Sequence, residues 1–222
     1  SRVVERLGER AQSGLGVVSV RRRDGRPHLS FSDGSEGAFD HVVLCGHGPQ
    51  NAAILHDMDD EEGAILSAFR TTANRAILHR DAALMPKRRR VWSSWSLMAR
   101  DDAEADAPVS VSYWMNRLQG IDEAHPLFVS LNPLREPAEE SVFAEFDYAH
   151  PLYDRAAFDA QERIGAIQGR GGVWHAGAWL GYGFHEDALR AGLRVAAALG
   201  ARPDWARDLG EPLASPLRVA AE

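Results

Sequence analysis

The chain holds a single cysteine, Cys45, in 222 residues. One thiol excludes an internal disulfide and any thiolate-rich zinc or iron–sulfur site within the chain. A reducing cytoplasm is the simplest compartment for such a sequence. Positive charge is also scarce: Lys+Arg is 25 against an Asp+Glu of 32, a formal net charge of −7. A globally acidic chain is a poor binder of nucleic acid or of an anionic membrane. No apolar run reaches the ~20 residues that a membrane-spanning helix needs. Signal peptide, solenoid repeat, HExxH and GxSxG are all missing. Ser1, not Met, opens the sequence, and the chain is expected to be the later part of a longer protein.

What remains has the balance of a globular protein, with 45% hydrophobic and 26% charged residues. Helical spacing of Val4, Leu7 and Ala11 predicts a first helix stopped near Gly14. Strands are expected at 17–22 and 28–32, joined through Asp24-Gly25, a hairpin signal. Residues 39–45, Phe-Asp-His-Val-Val-Leu-Cys, run apolar without alternation, which suits a strand buried on both faces of a parallel sheet. Cys45 at its end is expected to be buried and inert. Helices are expected at 51–56 and at 60–69, the latter capped by Asp60.

The middle alternates with period two. Segments 74–79, 90–97, 109–114, 127–131 and 142–148 read as strands of a largely antiparallel sheet with one packed and one open face. Val142, Ala144, Phe146 and Tyr148 share one face of their strand, and Val109, Val111 and Tyr113 share one of theirs. Residues 101–106 form an acidic loop, and Lys87-Arg-Arg-Arg90 reads as a solvated turn. A helix is expected over 151–168. The last part returns to α/β logic: a short strand at 173–177, a glycine-rich turn, and a helix over 186–199 closed by Gly200. The tail, 201–222, is expected to be extended.

The strongest chemical feature is that turn, Gly177-Ala-Trp-Leu-Gly-Tyr-Gly-Phe-His-Glu-Asp187, between a strand and a helix. Glycines there permit positive φ and close approach of a ligand, and a helix start favours an anion such as a pyrophosphate. The carboxylates of Glu186 and Asp187 favour hydroxyl contacts over a naked phosphate. Gly181-x-Gly183-x-x-Glu186 lacks the third glycine of a dinucleotide fingerprint. Gly192, in mid-helix, costs ~1 kcal/mol relative to Ala, which a close neighbour would explain. The plain alternative is a structural turn whose two acids complement the helix dipole. His175 and His185 flank the turn without a third metal ligand, and the tryptophans read as core or pocket wall.

The ordered set of motifs resembles the C-terminal half of the flavin-containing amine oxidoreductases, in their bacterial branch of NAD/FAD-binding oxidoreductases. The residues that carry it are Phe39–Cys45, Asn74-Arg-Ala-Ile-Leu-His-Arg-Asp81, Leu84-Met-Pro86, Val91-Trp-Ser-Ser-Trp95, Ser112-Tyr-Trp-Met-Asn-Arg-Leu-Gln119, Leu127-Phe-Val-Ser-Leu-Asn-Pro133 and Gly177–Asp187. It extends over residues 2–200. The resemblance implies an α/β and α+β fold: part of a discontinuous FAD-binding domain (1–50 and 169–200), a mostly antiparallel-sheet substrate domain (51–168) and an extended tail (201–222). It implies FAD as cofactor, met by Val17 through its backbone and by Gly177, Ala178, Gly183, Glu186, Asp187 and Ala188. Trp179, Tyr182 and His185 become candidates for lining the flavin. The glycine-rich βαβ fingerprint of that family is absent from 1–20, so a dinucleotide-binding half, in the same or a separate chain, is the expected partner beside a small-molecule substrate. Many relatives carry an acid after the glycine at 177, where this chain has Ala178. The alternatives are a non-catalytic binding domain with an aromatic-lined sheet and a nicotinamide-only dehydrogenase.

Overall fold

The computed structural model describes residues 2–99 and 109–206. The chain opens with α1 (Arg2–Leu7), a 3₁₀ turn and the hairpin β1 (Val17–Arg23) and β2 (Arg26–Phe31). Asp24 and Gly25 both hold positive φ, 52° and 76°, the conformation a two-residue hairpin loop requires. The helix ends earlier than its spacing predicts, and Val4 and Leu7 are exposed. A short strand, β3 (Glu36–Ala38), follows and pairs with β2; nothing in the turn-rich sequence signals it. Next come β4 (Val42–Leu44), α2 (Gly48–Ile54), α3 (Asp60–Ser67) and β5 (Arg70–His79). The cap of α3 is Asp59, one residue before the expected Asp60: its carboxylate accepts from Glu62 N–H at 2.8 Å while Glu62 accepts from Asp59 N–H at 3.2 Å.

Strands β6 (Trp95–Met98) and β7 (Ser110–Trp114), helix α4 (Met115–Gln119), strands β8 (Phe128–Leu131) and β9 (Val142–Leu152), helices α5 (Arg155–Arg163) and α6 (His185–Ala198) and, between them, β10 (Val173–His175) complete the order. The strand expected over 90–97 starts late, because Arg89–Val91 winds into a 3₁₀ turn. The helix expected over 151–168 begins only after Asp154, whose side chain caps it, since β9 runs on to Leu152. The acidic loop 101–106 and residues 207–222 of the tail lie outside the described residues. None of the described helices is long and apolar enough to cross a membrane.

Two compact units result. The first joins 2–71 with 151–206, so α2, α3 and α5 lie with it rather than with the middle segment expected over 51–168. It contains the β1-β2-β3 sheet and a parallel pair, β10 beside β4, although about 130 residues separate these strands. Val20, Leu44, Leu55, Ile65, Leu66, Ile167, Val173 and Trp179 form its core. The pairing of 39–45 with 173–177 is as expected, but burial on both faces is not. Only Leu44 is buried in β4, Val43 is 39% exposed, and Cys45 is exposed rather than buried. Burial on both faces needs a helix layer on each side of the sheet, and among the described residues β4 is covered on the Leu44 side alone.

The second unit spans 72–99 and 109–150 and holds most of the five-stranded sheet, in the order β6-β7-β8-β5-β9. The register fixes its two faces. Rows Trp95↔Tyr113↔Val129↔Leu78 and Leu97↔Val111↔Leu131↔Ala76 make an apolar face that is open at β6, where Trp95 and Leu97 are each 58% exposed, half-buried across β7 and β8, and closed at Ala76. The packed face carries Trp114, Phe128 and Ile77 together with Ser112, Ser130 and His79. Met85 and Trp92 pack against Trp114 and Phe128. Of the basic run, Arg89 pairs with Glu123 at 2.5 Å and lies over the ring of Trp92, its guanidinium 4.6 Å from the centroid.

Candidate functional site

In the first unit β10 ends at His175 and the chain enters the glycine turn. Gly177 (φ 156°) leads into a 3₁₀ turn over Ala178–Leu180. A side chain at 177 would meet the Trp179 indole nitrogen at 2.5 Å. Trp179 is buried, donates to Gly46 O at 2.9 Å, and sits edge-on to Phe69 with centroids 4.4 Å apart. From α5, Gln161 donates to the carbonyls of Trp179 (2.9 Å) and Gly181 (2.8 Å). From α6, the Asp187 carboxylate accepts from Tyr182 N–H (3.0 Å) and Phe184 N–H (2.9 Å). The turn is therefore held from within on two sides before any ligand arrives.

These contacts revise the roles expected of the glycines. A Cβ at Gly181 would lie 2.5 Å from the Asp187 carboxyl carbon, and one at Gly183 (φ 88°) 2.5 Å from the Tyr153 hydroxyl. Both positions need glycine for the chain's own packing. At Gly192, by contrast, nothing lies within 4 Å, so the close neighbour expected there is not among the described residues. Glu186 forms an i,i+4 pair with Arg190 at 2.8 Å. His185, Tyr182 and Phe184 are exposed around the helix start. At the start of α6 the N–H groups of Asp187 and Ala188 donate to Phe184 O at 3.1 and 3.3 Å, which leaves those of His185 and Glu186 without a partner among the described residues.

Beside the turn lies a small cleft. His47, Gly48 and Pro49 at the start of α2, Phe69–Thr71, Pro151–Tyr153, Ala157 and Trp179 line it. Of the residues singled out from sequence, only Trp179 is in this lining; Gly183 touches it through Tyr153. Gly177, Ala178, Glu186, Asp187 and Ala188 cluster at the turn and the helix start. Val17 stands apart from them in β1, paired with Phe31, its side chain packed against the core. Sequence reading missed Tyr153, whose place before the α5 cap carries no distinguishing signal. Its hydroxyl is buried without a hydrogen-bond partner among the described residues. Burial, then the nearby Asp187 charge, raise its pKa above that of an ordinary phenol. His175, fully buried in β10, also lacks partners at both ring nitrogens, and burial pushes its pKa down to about 4. Among the described residues no group of three or more His, Cys, Asp or Glu is placed to hold a metal.

No protein-family model matches the chain, and no curated protein matches it. Solved structures do. A fatty acid isomerase from P. acnes, which produces CLA, matches with a TM-score of 0.58 at 14% identity, over 85% of this chain and 48% of that one. A reduced UDP-galactopyranose mutase matches at 0.58 and 12%, over 89% and 50%. Wild-type putrescine oxidase bound to putrescine matches at 0.58 and 14%, over 90% and 51%. The mixed α/β fold with antiparallel sheets thus matches part of the fold of these structures, and the chain spans about half their length.

Proposed function

We propose that this chain is the C-terminal part of an FAD-dependent oxidoreductase of amine-oxidase type, acting on a small or apolar substrate. The first unit is assigned to the FAD-binding domain and the second to the substrate domain, with a dinucleotide-binding half supplied by other residues. The observation that carries this reading is the discontinuous first unit. Strands far apart in sequence pair in parallel, an antiparallel sheet is inserted between them, and a turn–helix follows the second strand. The fold does not select the chemistry: an isomerase, a mutase and an oxidase share it. The amine-oxidase type rests on the motif resemblance alone.

The cleft beside the turn is too tight for a flavin ring as it stands, and the Tyr153 hydroxyl is shut off from it, so the flavin reading is supported by the discontinuous unit and its turn–helix and not by this cleft. When bound, a flavin supplies an acceptor for a hydride and passes the electrons on. This chain's share is positional. Gln161 and Asp187 hold the turn, and the start of α6 presents the N–H groups of His185 and Glu186. The open face of the second unit, with Trp95 and Tyr113, suits an apolar substrate wall. A non-catalytic binding domain using that face is the second reading.

Ala188→Arg in the protein as the cell makes it separates the two. Arg is a good helix former and adds attractive charge, so only steric exclusion would cost affinity. The ratio of flavin to protein absorbance after purification should fall at least tenfold while the thermal melt stays unchanged. Full retention of flavin would move the cofactor away from this turn. Absence of flavin from the wild-type protein would favour the binding-domain reading.

A further inference from the structure

The basic run Lys87–Arg90 leaves most of its charge unmatched. It leads from the buried Met85 into the 3₁₀ turn Arg89–Val91, and all four side chains are exposed. Arg89 alone is engaged. It pairs with Glu123 and lies over the rings of Trp92 and Trp114, 4.6 and 5.3 Å from their centroids. Those two indoles meet edge to face on the packed side of the second unit, so the turn is pinned to the sheet. The side chains of Lys87, Arg88 and Arg90 have no hydrogen bond or ion pair among the described residues. Helix α4 extends the same patch: the Arg117 guanidinium donates to Trp92 O at 3.4 Å, directly after the turn. Val91 is 55% exposed and Leu118 48%. Of the nearby acids, Glu123 is taken by Arg89, and Asp122 accepts from Ala124 N–H. Two apolar side chains thus stand among four cations that lack a carboxylate partner among the described residues.

We infer that Lys87, Arg88, Arg90, Val91, Arg117 and Leu118 form a surface that docks the second unit on an anionic lipid membrane. Clustered Lys and Arg bind anionic headgroups, each charge near the surface contributing about a fivefold factor in partition. The exposed valine and leucine select a lipid surface over a nucleic acid, which has no apolar phase to receive them. The net charge of −7 does not prevent this, because a Debye length of ~8 Å largely limits what the membrane senses to the docked face. Pinning by Arg89 means that the turn has little backbone freedom left to lose on docking. The inference stands on the second unit and does not need the flavin reading. It sets the unit proposed to hold an apolar substrate beside the phase in which such a substrate dissolves.

The test is co-sedimentation of the protein as the cell makes it with vesicles of equal parts phosphatidylcholine and phosphatidylserine, and with vesicles of phosphatidylcholine alone. The mixed vesicles should bind it and the neutral ones should not, and added salt should weaken the binding. Arg88→Gln combined with Arg90→Gln should lower the partition coefficient about 25-fold, two factors of about five. Val91→Ser keeps every charge and should lower it several-fold through lost apolar burial. The two arginine side chains have no partner among the described residues, and Val91 is exposed, so thermal melts should match the wild type. No binding to mixed vesicles, equal binding to both kinds, or undiminished binding by the double variant would overturn the inference. An unchanged partition for Val91→Ser, or equally tight binding of a DNA duplex through the same arginines, would make the patch a general polyanion site and overturn it as well.

Discussion

Each unit buries one histidine completely, and the two are treated in opposite ways. His79, at the end of β5 in the second unit, is satisfied on both sides. Its Nδ1 accepts from Asp81 N–H at 3.1 Å, which leaves Nε2–H to donate to Ser130 Oγ at 2.8 Å, and Ser130 reaches Ser112 Oγ at 2.6 Å. A polar chain thus crosses three neighbouring strands inside the packed face. His175, on β10 of the first unit, has only its backbone engaged: Gln168 accepts from its N–H at 2.8 Å and donates to its carbonyl at 2.7 Å. Its ring meets Trp179 edge-on, centroids 6.5 Å apart, and finds no polar partner among the described residues.

The contrast extends beyond the two rings. Every buried side-chain polar atom without a partner among the described residues, Tyr153 Oη and both His175 nitrogens, belongs to the first unit. So do the half-exposed parallel pair and the open space at Gly192. Among the described residues the second unit leaves no buried side-chain polar atom unmatched, and the first leaves three.

The largest effect that sharpens this contrast is on acid stability. Burial, with Arg22 adding to it, holds His175 neutral down to about 4, against 6.5 in the unfolded chain. Between those values the unfolded state binds the extra proton, so stability is complete above pH 6.5 and falls as pH drops toward 4. The span corresponds to about 3 kcal/mol. His79 is shifted downward as well, chiefly by burial, and acts in the same direction. Carboxylates whose pKa is lowered, such as Asp59 and Asp154, add a separate loss below their ordinary 3.8. Urea unfolding followed by tryptophan fluorescence from about pH 7.5 to 4 measures the slope. A flat profile would mean that the His175 ring is solvated or paired in the native state.

The next effect is smaller and belongs to the second unit. His79→Leu removes both ends of the polar chain at β5 and leaves the part-buried Asp81 N–H without its acceptor. It should cost about 2 kcal/mol, the penalty of an unmet hydrogen-bonding group. His79→Ser is expected to recover little, because serine is too short to span from Asp81 to Ser130. Denaturant midpoints decide the matter. A neutral result would make the chain from His79 to Ser112 incidental and erase the contrast between the units.

Some of this was legible in the sequence. Alternation at 109–114 and 127–131 located β7 and β8, and Asp24-Gly25 marked the hairpin, because period and turn chemistry are local. The pairing of β4 with β10 was legible too, since both read as short apolar runs ending at glycine. What was not legible depends on partners far away in sequence. Phe39–Cys45 looks like a two-sided core strand, yet only one neighbour covers it among the described residues. The glycines at 181 and 183 look like a ligand cradle, yet Asp187 and Tyr153 occupy the space beside them. On β7 the buried side chains include Ser110 and Ser112 while Val111 and Tyr113 are less covered, because the packed face has its own polar chain. Tyr153 carries no pattern at all; only the fold shows that its hydroxyl is buried and unmatched.

The smallest effect is the one that defines the contrast, His175→Leu. The side chain is buried beside Val173, Leu44 and Trp179 in an apolar core, and leucine keeps a comparable bulk there. The backbone bonds to Gln168 do not depend on the ring and should persist. Removing two unpaired nitrogens relieves a desolvation penalty, while the edge contact with Trp179 is lost. The balance is expected to lie between neutral and a gain of about 1 kcal/mol near neutral pH. The same variant should reduce the stability slope between pH 6.5 and about 4, because the His175 share is gone while that of His79 remains. The two readouts check each other. A stabilised variant with a reduced slope means that the first unit carries an unmatched polar group at its centre. A destabilised variant means that the ring has a partner, and the two buried histidines are then alike.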